Sequence, residues 1–288
     1  MKRFTLAILL VAALLAACGP VATPTPAPTP VPPTALPPTA TAVPPTATHE
    51  PHTLTVFAAA SLTGSFTEIG TAFEATHPGV TVVFNFAGSQ ALSTQIIQGA
   101  AADVFASVNH KEMDKVVAAN LAAQDGPKDF VTNVLEVILP PNNPANLQTL
   151  QDLAKPGLKL VIEDKSVPAG AYSLTILDNL SKDPTYGADF STKVLANVVS
   201  NETDVKQIVS KILLGEGDAG IVYVTDAIAS PTLKTIVITA NFNVIAKYPI
   251  VALSNAPQSE LASEFVAYVL SADGQSIMKK WGFTTVTP

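Results

Sequence analysis

The sequence predicts a two-lobed α/β fold, each lobe a mostly parallel sheet flanked by helices, with two crossover segments joining the lobes. Three observations predict it. Short apolar runs alternate with segments of helical period from residue 54 to 119, and the same alternation resumes from 158 to 224. Two further apolar runs, Val131 to Leu139 and Asn243 to Leu253, are placed to carry the chain out of the first lobe and back into it. Lobe 1 is expected at residues 52–130 and 245–288, and lobe 2 at 131–244. Two lobes on two crossings make a hinged cleft.

In chain order the first element is a leader. Lys2 and Arg3 precede an apolar stretch, Phe4 to Ala17, of 14 residues, too short for the ~20 of a spanning helix. Residues 1–17 therefore read as a signal peptide. The stretch ends in Leu15-Ala16-Ala17-Cys18-Gly19, which resembles the lipobox at which small residues precede a lipidated cysteine. Cys18 is the only cysteine, so it has no disulfide partner. Residues 18–51 hold 12 of the 24 prolines, with Thr, Ala and Val making up nearly all the rest, and so should form an extended tether, with no apolar core of their own. The expected location is extracytoplasmic, on a membrane anchored through Cys18.

The domain opens with a buried-type strand, Leu54 to Ala60. A helix follows over Ser65 to Thr76, with Phe66, Ile69 and Phe73 on one face and Ser65-x-x-Glu68 resembling a capping box. His77-Pro78-Gly79 is a turn, Val80 to Ala87 a strand, and Gly88-Ser89 opens a helix to about Gly99. A strand at Asp103 to Ser107 and a helix at Lys111 to Ala119 complete a βαβαβα run. In the second lobe a strand is expected at Leu158 to Glu163, helices at Ala171 to Leu180 and Asp204 to Leu214, and a strand at Gly220 to Val224. Helices at Gln258 to Leu270 and Gly274 to Trp281 close the domain.

Charge narrows the function. Removing Lys2 and Arg3 from the 16 basic residues leaves 14 lysines against 23 acids, a net charge of −9, which excludes nucleic acid as a partner and disfavours an anionic membrane face. The only arginine goes with the leader, so an anionic ligand would have to be held by hydroxyls and helix-start N–H groups. Ser61 and Ser89 occupy equivalent places, each just past a strand and before a helix, at the carboxyl ends where parallel sheets bind ligands. On their own, serines in such places are also ordinary helix caps, and Tyr223 reads equally as a core aromatic.

Enzyme chemistry finds little footing. His49, His52, His77 and His110 form no metal-type pair, and the chain carries no second cysteine, no G-x-S-x-G elbow and no Walker loop. Glu163 and Asp164 are adjacent and point apart if their strand continues, which argues against an acid/base pair.

The phrases AAASL, FAGSQ, DVFAS, SVPAG, VLANVVSNETDVK, DAGIVYVTDA and YPIVAL occur in that order between Ala58 and Leu253. In sequence and order they resemble the molybdate-binding proteins of bacterial ABC uptake systems, type II periplasmic-binding proteins, here in lipoprotein form, over essentially all of Leu54 to Phe283. The resemblance implies an oxyanion, molybdate and with it tungstate, held by the hydroxyls of Ser61, Ser89 and Tyr223 and the backbone N–H groups of Ala169 and Val205. It also implies delivery to a membrane permease with a cytoplasmic ATPase, a monomer, no cofactor, no catalytic residue, and no metal beyond the molybdenum of the oxyanion itself. Donors alone suit a fully deprotonated dianion, whereas a protonated phosphate would also want an acceptor carboxylate. Asp204 is read as a helix cap. Alternatives are a receptor for another tetrahedral oxyanion such as sulfate, and, more remotely, a serine hydrolase or a tethered adhesin.

Overall fold

The computed structural model describes residues 51–286. The expected leader, the lipidated Cys18 and the tether up to residue 50 lie outside them. No helix among the described residues is long and apolar enough to cross a membrane.

Strand β1 (His52–Ala59) runs into one turn of 3-10 helix (Ala60–Leu62) and then helix α1 (Thr63–Thr76). Strand β2 (Val80–Ala87), helix α2 (Ser89–Ile97), strand β3 (Val104–Ala106), helix α3 (His110–Ala118) and strand β4 (Lys128–Asn133) follow. β1 lies between β2 and β3 and is parallel to both, with Val56 opposite Phe84 and Val104. Its continuous apolar run is what a strand covered on both faces requires, and Leu54, Val56 and Ala58 are fully buried. α1 buries Phe66, Ile69 and Phe73, and Phe66 and Phe73 meet Phe265 edge-on from helix α8 (Ser259–Leu270).

The capping box expected at Ser65 does not form. The 3-10 turn feeds α1 two residues earlier, so Ser65 lies inside the first turn and its hydroxyl donates back to Leu62 O at 3.1 Å. Glu68 turns instead to Lys280 and Trp281 at the far end of the chain.

The second lobe holds β5 (Leu135–Leu139), β6 (Leu160–Glu163), α4 (Pro168–Ser181), α5 (Phe190–Leu195), β7 (Val198–Glu202), α6 (Val205–Leu213), β8 (Ala219–Tyr223), α7 (Val224–Ile228) and β9 (Lys234–Val237). The chain returns through β10 (Ala246–Ala252), α8, α9 (Ala272–Lys280) and β11 (Thr284–Thr285). The first sheet has the order β11-β4-β10-β3-β1-β2 and the second β7-β6-β8-β5-β9. Both are mixed. Within each, the strand arriving from the other lobe lies in the interior and opposes both neighbours, β10 between β3 and β4, and β5 between β8 and β9; in the first sheet β4 likewise opposes β10 and β11.

One boundary moves. The run Val131 to Leu139, read as a single crossing, contains two strands that part at Val134: β4 completes the first sheet and β5 opens the second. Lobe 1 therefore keeps its chain to Asn133. The two crossings are laced together by Asn243, whose Nδ2 donates to Leu135 O (2.7 Å) and Ile238 O (3.1 Å) while its Oδ1 accepts from Leu135 N (3.1 Å).

Candidate functional site

The strand ends of both lobes converge on one small cavity, leaving about 10 Å³ for the centre of a water-sized sphere. Lobe 1 lines it with Ala59, Ala60 and Ser61 after β1, Ala87, Gly88 and Ser89 after β2, and Val108; lobe 2 adds Glu163, Val167, Pro168, Asp204, Val205 and Tyr223. The lobes touch around it: Gln90 Nε2 donates to Thr203 O at 3.3 Å.

Ser61, Ser89, Val205 and Tyr223 thus meet at one place. Ser89 begins α2, and its buried Oγ accepts from Val108 N–H at 3.1 Å. One of its lone pairs is engaged from behind, and its own hydrogen is left for the cavity. Ser61 Oγ lies 3.0 Å from Tyr248 OH. Tyr223 closes β8 with its ring 6.0 Å from that of Tyr248; its hydroxyl is buried and has no partner among the described residues. Burial, with smaller contributions from Tyr248 and Glu163, holds its phenol well above the usual range, so it keeps its proton and remains a donor.

Two helices start at the lobe 2 wall. Asp204 caps α6 as read from the sequence, Oδ1 accepting from Lys206 N (2.9 Å) and Gln207 N (3.2 Å), and Val205 is the first helical residue. The VPAG segment is the first turn of α4, with Pro168 at its start, where a missing N–H is harmless. Here the structure adds a group that sequence reading had considered only to dismiss as half of an acid/base pair. Glu163 Oε2 accepts from Ala169 N at 2.8 Å and from Gly170 N at 3.3 Å, so the Ala169 N–H expected to face the ligand is already engaged.

Glu163 and Asp164 do point apart. Asp164 bonds Ser166 at the surface, whereas Glu163 is only 4 % exposed and lines the cavity. Burial drives its carboxyl up to about 8, against the lowering effect of the two backbone donors, and Asp226 and Asp204 add to the rise. Near neutrality it carries a proton and brings no negative charge to the cavity. Nearby Asp226, fully buried, is paired with Lys206 Nζ at 2.7 Å.

A two-lobed frame with a small cavity at the strand ends, lined by hydroxyls and helix starts, is the anatomy of a binding protein. Residues 54–284 match the profile of a family described as bacterial extracellular solute-binding protein. The chain belongs to this family. As a solute-binding protein it is not an enzyme, and its relatives agree in kind. It is 40% identical over 231 residues to the molybdate-binding protein ModA of Mycobacterium tuberculosis, covering 80% of this chain and 84% of that one. It is 30% identical over 238 residues to ModA of Escherichia coli, covering 80% and 88%. The fold of the Azotobacter vinelandii periplasmic molybdate-binding protein superposes with a TM-score of 0.70 at 20% identity, covering 82% of this solute-binding protein and 99% of that chain.

The sequence assigns Glu163 no place at the site, and gives no sign of Tyr248 and Asn133, which stand behind Ser61. The phrase YPIVAL marked Tyr248 only as part of a strand, and no local pattern brings residues 61, 133 and 248 together.

Proposed function

We propose that this solute-binding protein captures molybdate, and with it tungstate, in the cavity between its lobes and delivers the ion to an ABC importer's permease and ATPase. The supporting observation is the polarity of the cavity. Ser89 accepts from Val108 N–H behind it and keeps its hydrogen for the cavity, Tyr223 has a buried hydroxyl without a partner among the described residues, and two helices begin in the wall, so the cavity offers the donors that a deprotonated tetrahedral dianion requires, beside a Glu163 that is protonated near neutrality. Ser61, Ser89, Tyr223 and the Val205 N–H are the proposed contacts. Ala169 N–H joins them when Glu163 gives way. Identity to ModA proteins at 30% and 40% supports the choice of ion.

The protein works outside the cytoplasm, in keeping with its family. Lipid attachment at Cys18, a Pro/Thr/Ala-rich tether and action as a monomer complete the reading.

Calorimetric titration with molybdate, tungstate, sulfate and phosphate tests it. Tight one-to-one binding of the first two, with sulfate weak, is the expected outcome. Equal binding of sulfate would turn the protein into a general receptor for tetrahedral dianions, and no binding of any of the four would refute the reading.

A further inference from the structure

A chain of hydrogen bonds runs from Ser61 away from the cavity toward the crossing between the lobes. Asn133, the last residue of β4, accepts from Val134 N–H through Oδ1 at 3.0 Å. That contact fixes which way the amide faces. Its Nδ2 is left to meet two hydroxyls, Thr225 Oγ1 at 2.9 Å on α7 and Tyr248 OH at 3.4 Å on β10.

An amide nitrogen only donates. Tyr248 OH therefore receives a hydrogen bond from Asn133, and of its two partners only Ser61 Oγ, 3.0 Å away, can take the phenol's own hydrogen, which favours Tyr248 as the donor to Ser61. Ser61, receiving that proton, has its hydrogen free for the cavity. Burial holds the Tyr248 phenol well above the usual range, so the proton that sets this direction stays in place.

We propose that Asn133 and Tyr248 are positioning residues that fix Ser61 as a donor, through a one-way chain running from Asn133 to Tyr248 to Ser61 and on to the bound anion. The proposal rests on the oxyanion reading above. It gives the site a specificity device: a serine free to rotate can turn its hydrogen away and accept from a protonated oxyanion such as hydrogen phosphate, whereas one already accepting from Tyr248 keeps its hydrogen toward the anion and has one lone pair fewer to offer. Asn133 also bonds Thr225 in lobe 2, so the direction of Ser61 is anchored across the crossing.

The test is calorimetric titration of the full chain with molybdate and with phosphate, for the unmodified protein, Tyr248→Phe, Asn133→Asp, Ser61→Ala and the Ser61→Ala/Tyr248→Phe double variant. Tyr248→Phe removes one hydroxyl without changing shape and should weaken molybdate binding about tenfold, the scale of one hydrogen bond, while narrowing the gap to phosphate. Asn133→Asp keeps the acceptor for Val134 N–H but reverses the chain, and should weaken binding further. In the Ser61→Ala background Tyr248→Phe should cost nothing more, a coupling that a merely structural role would not produce. Unchanged affinity in Tyr248→Phe, or losses at Ser61 and Tyr248 that simply add, would overturn the proposal and leave the oxyanion reading standing. Failure of the unmodified protein to bind any oxyanion would overturn both.

Discussion

The two lobes arm the cavity in different ways. Lobe 1 presents a wall without an ionisable side chain, and both of its serines are braced from behind, Ser89 by Val108 N–H and Ser61 by Tyr248. Lobe 2 presents helix starts beside carboxyl groups, Glu163 and Asp204 in the wall and Asp226 behind it, and a tyrosine hydroxyl with nothing to bond. One wall has its geometry fixed in advance. The other has a charge state and a tyrosine hydroxyl whose bonding must be settled when a ligand arrives. Closure therefore brings a rigid donor plate against an adjustable one, and solution conditions should act through lobe 2.

The sharpest break should come at Gly170. A Cβ there would lie 2.1 Å from Asp164 O and 2.6 Å from Glu163 O, backbone atoms that cannot step aside. Gly170→Ala should lose about 3 kcal/mol of stability, measured by denaturant unfolding. Gly88 makes the corresponding close approach between lobes: its Cβ would lie 2.5 Å from Thr203 O. Gly88→Ala should leave the ligand-free melting temperature unchanged while holding the lobes apart and weakening molybdate binding by about 2 kcal/mol.

The bracing itself separates Ser89 from Tyr223. Ser89→Ala strands the buried Val108 N–H and should lower both stability and affinity, whereas Tyr223→Phe removes a hydroxyl that has no partner in the free protein. Tyr223→Phe should therefore cost about 1.5 kcal/mol of affinity with ligand-free stability unchanged or raised. Equal effects of the two variants on stability would erase the contrast between the lobes.

The smallest effect is set by Glu163. Its folded carboxyl titrates near 8, above its ordinary value of 4.5, so the folded chain holds a proton that the unfolded chain releases. Its contribution to stability is complete at low pH and fades as pH rises from about 4.5 through 8. Binding follows the same sign. A dianion beside Glu163 favours the protonated form, so affinity should fall by up to about tenfold between pH 8 and pH 9 as a proton must be taken up with the ion. In Glu163→Gln this slope should vanish, as titrations across that range would reveal.

The legible parts of the fold were those with strong periodicity or punctuation. α1 announced itself through Phe66, Ile69 and Phe73, and β1 through an unbroken apolar run. The second lobe was read less completely because β7 and β9 are edge strands with mixed polarity, and α5 and α7 span less than two turns each. At the site, equivalent strand–helix junctions singled out Ser61 and Ser89. The partners behind them come from 187 residues away for Tyr248 and 19 for Val108, separations at which no local pattern operates. Glu163 was noticed for the wrong reason: strand alternation shows that it turns away from Asp164, and only tertiary structure shows that it turns onto the start of α4.

The reversed strand β10 has a consequence for how the molecule is made. It lies between β3 and β4, both of which are synthesised before any of lobe 2, so the first sheet remains divided until the whole second lobe has emerged. Pairing β10 closes contacts across more than a hundred residues of chain, a slow, long-range step that comes last and leaves apolar edges exposed until it is done. A chain truncated before Ala246 loses the strand that holds its first lobe together, so the two lobes, although they meet on a hinge, should unfold in a single transition.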